Sequence, residues 1–346
     1  MVTEVGTIED LSPLLNRLFD GTVMSESEAK DVMGLIMEDR VSKVQVAALL
    51  ASLGTRGETV QEITGFAEAM RERSVKISVP MDRPLLDTCG TGGTGKSTLN
   101  ISTTVAFVVA AGGVRVAKHG NRGVTKRSGS ADLLEALGVN INQDTEVLAE
   151  SLEETGVAFL FARSHHPAMR FVAPVRADLR ARTVFNVLGP LTNPAGANCQ
   201  LMGVFDPRMT ESLAHVLGKL GVERALVVHG DGLDDFSITG ENIVSELNSD
   251  GEVDSYSIFP EDVGLSKYSL NDLAGGDPHD NAQITRAVLS GKEVGAKRDV
   301  VLFNAGSGLY LGGCASSIQA GVELAASLID SGAAQQRLEA YVAFNQ

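Results

Sequence analysis

From Leu85 onward, short β-branched runs alternate with helical stretches, and this alternation constrains the fold more than any other feature of the chain. Residues 114–118 (VRVAK), 157–162 (VAFLFA), 225–230 (ALVVHG) and 300–306 (VVLFNAG) read as strands. Residues 130–137, 145–155 and 210–220 read as helices, so the expected architecture is α/β: βαβ units on a central, largely parallel sheet. Residues 7–73 differ in character. Their apolar stretches open with capping signals, Thr7 with Asp10, Ser25 with Glu28 and Thr59 with Glu62, which predict three or more short helices. In 41–57 the apolar residues Val44, Val46, Ala47, Ala48, Leu49, Leu50, Ala51 and Leu53 exceed one narrow stripe, so this helix is expected to be buried on most sides. Pro80 and Pro84 bracket an extended linker between the two regions.

The 346 residues are enough for two domains, with 43% apolar and 21% charged residues and no repeat or low-complexity segment. Three scattered cysteines, Cys89, Cys199 and Cys314, form no CxxC pattern and exclude a disulfide framework or zinc knuckle. With no run of apolar residues long enough for a membrane span and no export signal at the N-terminus, a cytoplasmic location is expected. A formal charge of −15 argues against nucleic acid or an anionic membrane as partner.

Against that acidic background, the 44 residues from Thr88 to Ala131 contain no Asp or Glu, where the chain average gives about five or six. The window holds Lys96, Arg115, Lys118, Arg122, Lys126 and Arg127, gathered around two glycine-rich segments, 89–103 (CGTGGTGKSTLNIST) and 118–130 (KHGNRGVTKRSGS). Glycines admit phosphate oxygens to backbone N–H groups, and a helix beginning after Asn100 turns its positive end to the same place, so the zone has the composition of a polyanion site. Gly90 to Ser97 also satisfies the GxxxxGK[ST] nucleotide pattern, with 225–231 as a strand and aspartate for magnesium. Asp87, Thr88 and Cys89 separate Leu85 and Leu86 from the first glycine, where a P-loop follows directly from a buried strand, and that reading gives the second basic loop no role.

Longer blocks are more specific: GTGG (90–93) before TLNIST (98–103), KHGNR (118–122), GSADLLEALG (129–138), HPAMR (166–170), PVR (174–176) and RTVFNVLGPLTNPA (182–195). In these the chain resembles, nearly end to end, the anthranilate phosphoribosyltransferases of tryptophan biosynthesis. The resemblance implies a small helical domain, 1–78 with a return near 170–195, and an α/β phosphoribosyl-binding domain, 79–346, similar in fold to nucleoside phosphorylases. It also implies a homodimer, and a reaction in which the amine of anthranilate displaces pyrophosphate at ribose C1 of phosphoribosyl pyrophosphate with Mg2+. Such chemistry needs alignment and charge neutralisation more than a protein nucleophile.

By the same resemblance, phosphoribosyl pyrophosphate is bound by Gly90, Gly93, Thr94, Thr98, Asn100, Ile101, Ser102 and Thr103 of the first segment. The second segment adds Lys118, His119, Gly120, Asn121, Arg122, Gly123, Val124, Thr125, Lys126 and Ser130. Anthranilate falls to Arg176, whose fork matches a carboxylate, with Gly90, His119, Asn121, His166 and Pro190. Mg2+ falls to Ser102, Asp234 and Asp235. Taken without the family, Ser102 and Thr103 are also explained as helix caps, His119 as a bonded loop residue, Arg176 as paired with Asp178 or another surface acid, and Asp234 and Asp235 as solvated loop.

The chain departs from the family pattern at Thr94, where Asp is usual, at Asp235, where Glu is usual, and at Lys96 and Lys126, where small or polar residues are usual. These changes make the site more positive and lead us to expect tighter phosphate binding that depends less on magnesium. A pyrimidine nucleoside phosphorylase and a non-catalytic phosphosugar- or nucleotide-binding protein are the rival readings.

Overall fold

The computed structural model describes residues 8–123 and 127–346. The chain forms two compact units, 1–75 with 163–192 and 76–162 with 193–346.

The first unit is helical, with its longer helices at Ser12–Phe19, Glu26–Met37, Lys43–Arg56 and Val60–Glu72. Ser25 and Thr59 both form the expected capping boxes: each hydroxyl accepts the N–H of the residue three ahead, and the Glu28 or Glu62 carboxylate accepts the cap's own N–H at 2.9 Å. Thr7 lies outside the described residues. Glu62 is fully buried and also takes the Met24 N–H and the Arg56 guanidinium, at 3.0 and 2.7 Å, which supplies the counter-charge its burial requires. The expectation for residues 41–57 is corrected. Only Val46, Leu49, Leu50 and Leu53 of Lys43–Arg56 are buried, a single i, i+3, i+4, i+7 stripe, and Val44 is 80% exposed. Alanine is a strong helix former with little to lose in water, so its presence beside the stripe does not widen the buried face.

The second unit is built on a seven-stranded sheet of β1 (Leu85–Gly90), β2 (Arg115–Gly120), β3 (Val157–Phe161), β4 (Cys199–Gly203), β5 (Arg224–Gly230), β6 (Asn242–Leu247) and β7 (Val253–Ile258). The order is β3-β2-β1-β4-β5-β6-β7, with the first five parallel and β6 and β7 antiparallel. Alternation along the strands feeds two cores. Leu86, Val116, Phe159 and Leu201 face one, and Leu85, Ala117, Ala158 and Leu160 the other. The expected helices appear as Ser130–Leu137, Thr145–Thr155 and Thr210–Lys219, and three of the four expected strands as β2, β3 and β5.

Residues 300–306 are not a strand. They lie in the helix Ala296–Leu311, in which every residue from Val300 to Leu309 is buried. A helix buried all round has no amphipathic period, so its β-branched run is indistinguishable by pattern from a central strand.

From β1 the chain crosses to β2 on one side, while β4 pairs with β1 on the other, so the strand order reverses between β1 and β4. In open α/β sheets, ligands bind outside the carboxyl ends of the strands at such a switch point.

Candidate active site

The first glycine-rich loop leaves the sheet at the switch point. Asp87, Thr88 and Cys89 belong to β1 and are buried, so the loop follows directly from a buried strand, contrary to the sequence expectation. What separates it from a P-loop is its far end: Lys96 and Ser97 are exposed, and the helix Ile101–Ala111 begins four residues after Ser97 instead of at the lysine.

The loop is braced on Asp234, which is 4% exposed and accepts the Gly92 N–H at 2.7 Å. A Cβ on Gly90 would overlap the Asp234 carboxylate and come within 2.7 Å of its carbonyl oxygen, so only glycine permits this approach. Gly92 and Gly93 have φ of 69° and 79°, the left-handed region that glycine enters without strain. Beyond them, Thr98 bridges to Ala274, and the first turn of the helix presents Ile101, Ser102 and Thr103. Ile101 is buried, so any contact it makes with a ligand is through its backbone. Among the described residues the buried Thr103 hydroxyl has no hydrogen-bond partner, and it lies in the first turn of the helix.

The second segment continues β2. Lys118 and His119 are in the strand and buried; the Lys118 ammonium donates to the Thr88 carbonyl and, at 3.1 Å, to Ser102 Oγ. Burial pulls the Lys118 pKa down, with Asp87 opposing, and burial pushes the Asp87 carboxyl up to about 6, with Lys118 opposing. His119 donates its N–H to Asp87 Oδ1 at 3.1 Å. Gly120 packs on Ser130, the first residue of the next helix.

Asp132 organises the described part of the loop. It accepts the Gly123 and Gly129 N–H groups at 2.8 and 2.9 Å and pairs with Arg122, which also forks onto Glu135. Asn121 stands exposed ahead of it, its Oδ1 accepting the Arg122 N–H. Val124, Thr125 and Lys126 lie outside the described residues.

The basic zone is therefore less concentrated in space than in sequence. Arg115, at the opposite end of β2, pairs with Asp82 and Glu153, and Arg122 pairs with acids that begin just past the carboxylate-free window. Lys96 and Arg127 remain exposed.

The remaining candidates, His166, Arg176 and Pro190, belong to the helical unit. Arg176, in the helix Ala173–Leu179, lies 5.6 Å from the Phe185 ring centroid, and burial lowers its pKa. Among the described residues no carboxylate pairs with it, so the Asp178 pairing is not formed and the fork keeps its capacity for an outside carboxylate. His166 is buried beside His165 and its pKa is pushed down to about 4, chiefly by desolvation, which leaves it neutral near pH 7.

Asp234 and Asp235 follow β5, and Asp235 and Ser102 line one small cavity of about 10 Å3, together with Thr88, Cys89 and Asn304. Two carboxylates and a hydroxyl are hard oxygen donors that fit magnesium. Among the described residues no group of three His, Cys, Asp or Glu is clustered closely enough to hold a metal ion.

Residues 12–74 match the helical bundle domain of the glycosyl transferase family, and residues 82–335 its a/b domain. An anthranilate phosphoribosyltransferase from Rubrobacter xylanophilus is 52% identical over 333 residues, 96% of each chain. The chain belongs to the anthranilate phosphoribosyltransferase family. The crystal structure of the Thermus thermophilus anthranilate phosphoribosyltransferase is 50% identical with a TM-score of 0.91, covering 95% of this chain and 98% of that one. An anthranilate phosphoribosyltransferase from Saccharomyces cerevisiae, in complex with PRPP and Mg, is 27% identical with a TM-score of 0.86, covering 96% and 97%.

Sequence reasoning missed three residues of this anthranilate phosphoribosyltransferase fold, two that hold the glycine-rich loops and one that packs under Arg176 in the helical unit. Asp132 sits inside the quoted GSADLLEALG block but reads as helix surface, Phe185 under Arg176 reads as core, and Asn281 carries no motif. A capping signal, Gly129 followed three residues later by an acid, marks Asp132 in the sequence.

Proposed function

We propose that this protein transfers the 5-phosphoribosyl group of phosphoribosyl pyrophosphate to the amine of anthranilate in tryptophan biosynthesis. The observation that carries the reading is the glycine loop braced on Asp234 at the switch point, leading into a helix N-terminus. The amine nitrogen forms a bond to ribose C1 as the C1–oxygen bond to pyrophosphate breaks, and the amine gives up a proton.

The first-loop glycines, Asn100, Ser102 and Thr103, with the second segment from Lys118 to Ser130, hold the anionic substrate. Their fixed donors meet charge that grows on pyrophosphate as it leaves. Asp234, Asp235 and Ser102 would hold Mg2+, which would supply charge neutralisation for the pyrophosphate leaving group. Arg176 takes the anthranilate carboxylate, and His119, Asn121, His166, Pro190 and Gly90 line that substrate's place. A neutral His166 suits it, because an imidazolium would compete with Arg176 for the carboxylate.

We also infer a cytoplasmic homodimer. Phe19, Val23 and Val44, respectively 63%, 48% and 80% exposed, all belong to the helical unit and favour an apolar interface there. Among the described residues no helix is long and apolar enough to cross a membrane.

Turnover with anthranilate and phosphoribosyl pyrophosphate, and none with uridine or thymidine plus phosphate, is the expected outcome; phosphorolysis of either nucleoside would favour the phosphorylase reading. The departures at Thr94 and Asp235 carry a second expectation. With one acid fewer, the protein should retain more of its maximal rate at low magnesium than Thr94→Asp, and superimposable magnesium titrations of the two would contradict it.

A further inference from the structure

We propose that Asn281, 181 residues along the chain from Asn100, is a positioning residue that clasps both glycine-rich loops into the geometry that receives phosphoribosyl pyrophosphate. The proposal rests on the reading of those loops given above.

Asn281 lies in the first turn of the helix Pro278–Leu289, whose start is fixed by Asp277 accepting the His279 and Asp280 N–H groups. It is 1% exposed. Its amide has one orientation, set by a backbone group that can only donate: Oδ1 accepts the Gly276 N–H at 2.9 Å. Nδ2 therefore faces the loops and donates to Asn100 Oδ1 at 2.8 Å.

That bond orients Asn100 in turn. Its Oδ1 also accepts the Ser128 hydroxyl at 3.0 Å, and its Nδ2 donates to the Ser128 carbonyl at 3.1 Å. Asn100 ends the first loop and Ser128 lies near the end of the second, so one buried amide sets how the two loops meet.

The chain leading to Asn281 runs along the first loop. Leu99 donates to the Leu273 carbonyl and Gly275 to that of Ser97, both at 3.1 Å. A Cβ on Gly275 would come within 2.7 Å of Asn281 Oδ1 and 2.6 Å of the Thr98 carbonyl oxygen, so this segment is seated at backbone contact. A satisfied buried network is rigid, and small errors in donor position are costly at a site that works by alignment. Buried and bonded on both sides of its amide, Asn281 acts through Asn100 and Ser128 and not on the substrate.

Asn281→Asp keeps the shape and the acceptor for Gly276 but turns a second oxygen toward Asn100 Oδ1. Asn281→Ala removes both bonds. In the full-length protein with magnesium, Asn281→Asp is expected to raise KM and the calorimetric Kd for phosphoribosyl pyrophosphate about tenfold at pH 8, with anthranilate KM changed by less than about twofold. Relative to the unmodified protein at each pH, that defect should shrink toward about pH 6, because a protonated carboxyl donates to Asn100 as the amide does.

Wild-type affinity for phosphoribosyl pyrophosphate in Asn281→Asp, equal change in both KM values, or a pH-independent defect would each overturn the clasp. If Asn281→Ala does not fold, Asn281→Asp alone decides. A wild-type protein that binds phosphoribosyl pyrophosphate without turnover, alongside a pH-rescued binding defect in Asn281→Asp, would retract the transferase reading and keep the clasp.

Discussion

Replacing Arg176 with alanine is expected to lower kcat/KM for anthranilate about 100- to 1000-fold and leave KM for phosphoribosyl pyrophosphate within about twofold. The size follows from losing one partner of a largely desolvated charge-assisted pair, about 3–4 kcal/mol, at a tenfold rate change per 1.4 kcal/mol. Arg176 is packed over Phe185 and meets no carboxylate among the described residues, so little of its charge is already spent. Arg176→Lys should recover only a small part, because an ammonium cannot match both carboxylate oxygens at once. Steady-state kinetics with each substrate varied in turn checks this, with thermal unfolding to track the lost cation–π contact, about 0.5–1 kcal/mol. An unchanged anthranilate KM with unchanged kcat would remove Arg176 from the site.

Asp234→Ala should cost more than about 100-fold in kcat/KM for phosphoribosyl pyrophosphate, because two functions sit in one carboxylate. It holds the Gly92 N–H at 2.7 Å, and its chain fills the space that glycine at 90 and at 203 leaves open. Truncation frees a loop amide, opens a gap beneath the loop and deletes a hard oxygen donor for magnesium. Asp234→Asn separates the roles, since its carbonyl oxygen still accepts from Gly92 while the charge is gone. The expected result is an intermediate loss that extra magnesium partly relieves, against a loss in Asp234→Ala that magnesium does not relieve. Equal rates in Asp234→Asn and the unmodified protein at every magnesium concentration would mean that the carboxylate braces the loop and nothing more.

These effects also mark where the sequence was readable. Ser25 with Glu28 and Thr59 with Glu62 announce helices because a capping box is entirely local, and the crossover from β2 to β3 is legible because its helices, Ser130–Leu137 and Thr145–Thr155, remain amphipathic. The helix Ala296–Leu311 is not, since burial on every side erases the period that separates helix from strand. The hairpin of β6 and β7 went unread although Asp250-Gly251 sits at its turn with Gly251 at φ 87°, a signal flanked by polar strand residues such as Asp254 and Ser255 that mask the alternation.

At the site, the glycine motifs were visible because close backbone approach requires glycine whatever surrounds it. The partners of the charges were not visible. Arg122 is taken up by Asp132 and Glu135, and Arg115 by Asp82 and Glu153, pairings that a count along the chain separates from the basic window. Asn281 is the extreme case, a residue whose role exists only through contacts that span half the chain.

The most direct test of the central claim is a single assay on the unmodified protein: anthranilate fluorescence followed after adding phosphoribosyl pyrophosphate and magnesium, with released pyrophosphate counted in parallel. A decay that needs every component and yields one pyrophosphate per anthranilate consumed is the predicted result. No decay under conditions where calorimetry registers bound phosphoribosyl pyrophosphate would contradict it, leaving a phosphosugar-binding scaffold with another acceptor or none.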